Sequence, residues 1–150
     1  MSALLETSFI ETKPVPYTVK IIQSSDSAVR VMRSRFFANY GLKEDAPNPN
    51  LKWFAVLNDT TCLVIFALGQ REDGGVEGTD FYVLPTREGV IAARWTLAMG
   101  VKLIDLKIAP YFYVWVLGKN KVMRRRVEAA FGVTEPRTCL YAYPPDVGLK

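Results

Sequence analysis

Five cations, Lys119, Lys121, Arg124, Arg125 and Arg126, fall within eight residues, and Arg30, Arg33 and Arg35 lie close together nearer the start of the chain. Clustered cations can bind nucleic acid, a phosphorylated small molecule or an acidic protein. A solvated basic face is the plainer reading. Nucleic acid is the weakest of the binding readings, because base stacking needs exposed aromatic side chains among the cations, and the run is followed only by Phe131. The chain has no histidine, which removes Ser-His and Cys-His nucleophile pairs and the commonest metal ligand. Cys62 and Cys139 are the two cysteines, too few for a structural zinc site. Both sit in strand-like runs and read as buried thiols in a reduced, cytosolic setting. Proton transfer would therefore fall to tyrosines and carboxylates. Tyr82, Tyr111 and Tyr113 lie in apolar runs where a core position is the ordinary role, and Glu72, Asp73 and Glu77 lie near a polar, Gly-rich turn where solvation is.

These residues need elements to position them. Tyr17 to Gln23 alternates as a strand, and Ser24 to Asp26 offers caps for a helix reaching Tyr40, with Val29, Met32, Phe36 and Tyr40 on one face and Gly41 as its stop. Trp53 to Leu57 and Thr61 to Leu68 read as strands joined at Asn58-Asp59, and Arg71 to Gly78 as a hairpin turn before a strand from Thr79 to Leu84. Thr86 caps a helix through about Met99. Residues 101–108 fit either a continued helix or an extra strand. Tyr111 to Leu117 is an apolar, ring-rich strand ended by Gly118. Asn120 then stands near the start of a helix whose apolar stripe is Val122, Met123, Val127, Ala130 and Phe131, with Gly132 as its stop. Thr138 to Tyr143 resumes a strand.

That order, with Asn120 leading a helix into Phe131-Gly132-Val133, resembles the GNAT (Gcn5-related N-acetyltransferase) superfamily from about Tyr17 to Tyr143. The words DFYVLP, YFYVWV and NKVMRRRVEAAFGV also resemble the small GNAT-like proteins that T7-type podophages encode beside their internal virion proteins. The resemblance implies an α+β fold with a mixed central sheet, antiparallel N-terminal strands and helices on both faces. It implies acetyl-CoA as the cofactor, its pyrophosphate held at the N-terminus of the long helix on Leu84, Thr86, Arg87, Gly89 and Val90, with Asn120 nearby. The family's Gly-rich loop is reduced here to one glycine in Thr86-x-x-Gly89-x-Ile91, and Glu88 and Ile91 work against an anion there. An ordinary capped helix is the alternative. The tyrosine that protonates the departing thiolate in the family is replaced by Val127 or Glu128, so Tyr82 and Tyr113 become the catalytic candidates.

Two functions follow from the resemblance: an acyl-CoA-dependent N-acyltransferase acting on an unspecified amine, or a non-catalytic phage virion-assembly or protein-binding factor that meets a phage or host protein through Lys119 to Arg126. At 150 residues and 49% hydrophobic, the chain can bury one full core, read as a single domain over 17–150 with an N-terminal arm at 1–16. The start of the chain lacks the basic region of a signal peptide, and no apolar run approaches the ~18 residues of a membrane span. The expected location is the cytoplasm, the host's if the protein is phage-encoded, with a place in the virion as the alternative.

Overall fold

Trp53 to Val56 and Leu63 to Leu68 are apolar without alternation, and a computed structural model of the protein, describing residues 17–116, 120–131 and 139–142, buries every one of them. A strand loses its alternation when both sheet faces are covered. Here helices cover both. The strands are β1 (Tyr17–Ile22), β2 (Lys52–Asn58), β3 (Thr61–Gln70), β4 (Val76–Val83), β5 (Phe112–Trp115) and β6 (Cys139–Ala142). They form one sheet in sequence order, antiparallel from β1 to β4, with β5 and β6 added in parallel. The helices are α1 (Ser27–Tyr40), α2 (Arg87–Asp105) and α3 (Lys121–Phe131).

One sheet face presents Trp53, Ala55, Ile65, Ala67 and Tyr82 to Val29 and Met32 of α1. The other presents Phe54, Val56, Val64 and Phe66 to Ala92, Ala93, Leu97 and Leu103 of α2 and to Met123 and Val127 of α3. The crossovers through α2 and α3 both step the sheet in the same direction, and parallel crossovers share one hand, so the two helices fall on the same face. Helix ends follow local chemistry. Asp26 accepts the Ala28 N–H at 2.9 Å, and Gly41, at φ 64°, closes α1 in the left-handed conformation that a side chain would strain.

Two expectations change, and one open choice is decided. The hairpin turn is shorter than Arg71 to Gly78, because the Arg71 N–H bonds the Gly75 carbonyl at 2.8 Å and closes the loop. β4 therefore starts at Val76, where pairing with β3 and β5 buries it. Residues 101–108 continue α2 to Asp105 and then turn at Lys107 (φ 60°), since Leu103 extends the buried stripe past Gly100. On α3, Met123 and Val127 are buried but Val122 is 54% exposed, as its neighbour's place on the stripe rotates it about 100° away. The expected 1–16 arm, Lys119, Gly132 and Val133 lie outside the described residues.

The site depends on how β4 meets β5. Their pairing covers Val76 to Gly78 against Phe112 to Val114 and stops there. From Thr79 onward the two strands part.

Phe54 is fully buried and stacks on Phe66 with ring centroids 4.9 Å apart. Phe54→Ala is expected to lower the unfolding free energy by about 3–5 kcal/mol in a denaturant titration, against about 0.5 kcal/mol or less for Val122→Ala.

Candidate functional site: a cleft where the sheet parts

Strand periodicity puts Asp80 and Tyr82 on the face of β4 that looks toward α1. Arg33 reaches them from α1. Its own helical face carries Val29 and Phe36, so the side chain is carried inside an apolar stripe, and the residue is only 5% exposed. Arg33 Nη1 and Nη2 donate to the Asp45 carbonyl at 2.6 Å and to Asp45 Oδ1 at 2.7 Å, and Arg33 Cζ lies 5.0 Å from the Phe37 ring centroid. Arg33 Nε sits 3.7 Å from Asp80 Oδ1 and makes no hydrogen bond. Burial alone would lower the Arg33 pKa, but the bond to Asp45 and the neighbouring Tyr82 and Asp80 outweigh it and hold the guanidinium above its ordinary value.

Asp80 is the centre of this group. Oδ1 accepts the Tyr82 hydroxyl and Oδ2 accepts the Thr79 hydroxyl at 2.8 Å. A carboxylate offers about four acceptor positions, so further donors can bind. Burial, and then the charge of Asp80, hold the Tyr82 phenol far above the usual range. Tyr82 keeps its proton and aims the carboxylate.

A cavity of about 490 Å³ opens through the parted strands. Arg33, Asp80 and Tyr82 line it on the α1 side, Phe66, Leu97 and Val114 on the other, and Asn120 and Met123 of α3 close one end. Glu77, also on its wall, is held by Arg71 at 3.3 Å. The segment after α1 is fastened over the cavity by Arg33–Asp45 and by the Ser34 hydroxyl donating to Glu44.

The expected site residues divide between places. Tyr82 lines the cavity. Tyr113 does not: Phe112 and Val114 take the cavity side of β5, while Tyr113 lies under the Arg71 guanidinium, 4.6 Å from its ring centroid. Leu84, Val90 and Asn120 line a second cavity of about 220 Å³ at the start of α2, which also borders Tyr82, Arg35 and Arg126. Thr86 caps α2, its hydroxyl accepting the Gly89 N–H and its carbonyl the Val90 N–H, both at 3.1 Å. Arg87 is exposed beside it. Gly89 has a packing role, because a Cβ there would stand 2.0 Å from the Leu84 carbonyl oxygen. Asn120 caps α3, with Oδ1 accepting the Met123 N–H at 3.1 Å.

Arg35 and Arg126 bring unbalanced charge to the second cavity. Arg35 Nη1 is buried without a hydrogen-bond partner among the described residues. Burial and then the charge of Arg94 lower the Arg126 pKa, while Tyr40 opposes the shift. Sequence reasoning missed Asp45 and Asp80 as site residues, and it took Arg33 and Arg35 only as members of a basic cluster able to meet a phosphate or an acidic partner. The signals for two of them were present: Arg33 interrupts the apolar face of α1, and Asp80 shares a strand face with Tyr82. The basic run on α3 is partly internal, with Arg124 bonding Glu128 at 2.9 Å. Cys62 bonds the Val64 carbonyl, and burial pushes its thiol up to about 11, so it stays protonated near neutral pH. Among the described residues there is no cluster of three or more metal-binding side chains, and no helix is long and apolar enough to cross a membrane.

Neither a protein-family model nor a curated protein sequence matches the chain. Solved structures do. One is a protein from Klebsiella pneumoniae subsp. pneumoniae MGH 78578 assigned as an acyl-CoA N-acyltransferase, with a TM-score of 0.59 at 14% identity over 75% of this chain and 79% of that one. Another is an aminoglycoside acetyltransferase from an uncultured soil metagenomic sample, crystallised with trehalose, with a TM-score of 0.53 at 11% identity over 85% and 95% of the two chains. Likeness at such identities concerns the fold, which is α+β and GNAT-like.

Removing the Arg33 guanidinium leaves Asp80 partly buried without its counter-charge and unfastens the segment over the cavity. Arg33→Met is expected to cost about 3–5 kcal/mol of stability and to speed amide hydrogen exchange across residues 42–51. Exchange unchanged there would show that Asp45 does not depend on Arg33 for its position.

Proposed function

We propose that the protein is an acyl-CoA-dependent N-acyltransferase that passes the acyl group directly to an amine bound against Asp80. The observation that carries this reading is the carboxylate of Asp80, oriented by Tyr82 and Thr79 on the wall of a cavity that runs between parted parallel strands. Such a cavity admits a donor and an acceptor from its two sides.

The residues present fit an acyl-CoA donor, though differently from a Gly-rich loop. From Thr79 onward the β5-facing edge of β4 is unpaired with β5, a place for an extended, amide-bearing arm. Arg35 Nη1 and the half-buried Arg126 would hold its phosphates beside the first turn of α2, with Leu84, Val90 and Asn120 along the wall. Thr86, Arg87 and Gly89 shape that turn, and acetyl-CoA is the donor this implies. When bound, the donor supplies a thioester whose C–S bond breaks as the amine's N–C bond forms, giving amide, thiol and one released proton.

Asp80 takes a proton from the incoming ammonium, which leaves the nitrogen lone pair available. Arg33, with Nε 3.7 Å from Asp80 Oδ1, sets a positive charge beside the carboxylate. Tyr82 is the orienting group, since its proton is held too firmly to be given to a thiolate. Phe66, Leu97 and Val114 give the opposite wall an apolar surface.

A second reading is a protein-binding or virion-assembly factor on the same fold. It is favoured by the first turn of α2, where Thr86 already occupies the Gly89 and Val90 amides, and by Lys121 and Arg125, exposed on α3. The resemblance to podophage proteins supports a phage source and action in the host cytoplasm or virion.

Isothermal calorimetry with acetyl-CoA, desulfo-CoA and ADP separates the two. The acyltransferase reading expects micromolar binding selective for the CoA forms, weakened about 10-fold by Arg35→Ala or Arg126→Ala. Silence at millimolar acetyl-CoA would sink it in favour of the second. Gly89→Glu is not a clean probe of ligand binding, because its Cβ would collide with backbone. Once an accepted amine is in hand, Asp80→Asn is expected to lower kcat by about 10²–10⁴ while leaving the acetyl-CoA Kd unchanged.

A further inference from the structure

We infer that the acceptor is a primary amine with a single positive charge on an apolar, ring-sized body. This inference rests on the acyltransferase reading for the chemistry of the cavity, but its test needs no turnover.

The charge of the cavity opposes that of the chain. Asp45, Glu77 and Asp80 line it against one guanidinium, Arg33, in a protein whose formal net charge is +4. Anionic acceptors are therefore repelled where cations are drawn in. Two of the three carboxylates are already used: Asp45 by Arg33 at 2.7 Å, and Glu77 by Arg71 at 3.3 Å. Asp80 faces Arg33 at 3.7 Å without a hydrogen bond from it, and it retains acceptor positions for one ammonium. A second ammonium would have to compete with Arg33 for Asp45 or with Arg71 for Glu77, or else settle on uncharged groups and the rings of Phe36, Phe37 and Phe81.

Those same rings and Leu51 favour an apolar body. The volume of about 490 Å³ must also hold the thioester end of the donor. A cavity of about 150 Å³ is enough for a benzene ring, so one ring on a short arm is the scale that remains.

Four probes test this by calorimetry without acyl-CoA: phenethylamine, 3-phenylpropionate, ethanolamine and spermidine. The expected result is that phenethylamine binds most tightly. Its Kd should rise at least 10-fold in Asp80→Asn, a variant of nearly unchanged shape whose fold is checked by its melting temperature, and it should also rise in Phe36→Ala. The inference is overturned if 3-phenylpropionate binds as well, if spermidine or ethanolamine binds more tightly, or if both variants bind phenethylamine as the parent does. Acetyl-CoA binding that depends on Arg35 and Arg126, with no phenethylamine binding, would end this inference and leave the acyltransferase reading intact. Phenethylamine binding that depends on Asp80, with no acetyl-CoA binding, would end the acyltransferase reading and leave the cavity as a binding site for such an amine.

Discussion

β4 and β5 share three residue pairs and then separate, and the rest of the molecule is arranged around that parting. Its two ends are set by close approaches of glycine. At the start of β5, the Tyr111 ring lies so near Gly75 that an added Cβ would stand 2.3 Å from Cζ, and the Tyr111 carbonyl accepts the Val76 N–H at 3.0 Å. Arg71 and Asp73 bond the Tyr111 hydroxyl and tie this corner to the hairpin. At the far end of β4, Gly89 lets the first turn of α2 settle on the Leu84 carbonyl. The paired end is clamped, and the open end is claimed by a helix, so the separation is built into both.

A parted sheet exposes backbone and side chains that an ordinary sheet would bury, and polar groups there need partners. Arg33 answers part of that need on the α1 side. It joins α1, the following segment and β4 through Asp45 and Asp80, and places a charge where the apolar pattern of α1 would put a hydrocarbon. Replacing such a group by a hydrocarbon commonly stabilises a fold if its partners are replaced too. Here the partners remain, so the guanidinium both fastens the segment after α1 and sets a positive charge beside Asp80.

The elements were legible in the sequence wherever a period repeated long enough to show. α1, β2 and β3 have the expected places because Val29 and Met32, Trp53 to Val56 and Leu63 to Leu68 report burial on one face or two. The end of α2 was ambiguous because Ile104, Leu106 and Ile108 alternate over too few residues to outweigh a helix that already continued. The site was less legible. A carboxylate within a strand reads as outward-facing, and nothing local says that the strand beyond it will part. Asp45 enters from an irregular segment with no period to place it. Gly89 could be read as an approach for a ligand or as part of an ordinary capped helix, and no local pattern announces its close approach to the Leu84 carbonyl.

The charge distribution connects these features. The second cavity carries Arg35 and Arg126 with an unpaired buried nitrogen, while the first carries three carboxylates around Arg33. The two cavities share Phe36, Phe81, Tyr82, Asn120 and Met123 as a common wall. A basic chain with a uniform field would draw an anion and a cation with unequal success. Separating the signs across one wall gives an anion and a cation different places to bind. In a low-dielectric interior that separation has a cost in self-energy for each group, which Arg126 shows in its lowered pKa. Ligands of opposite sign, one on each side, would remove both costs together, so occupancy of one cavity should favour occupancy of the other.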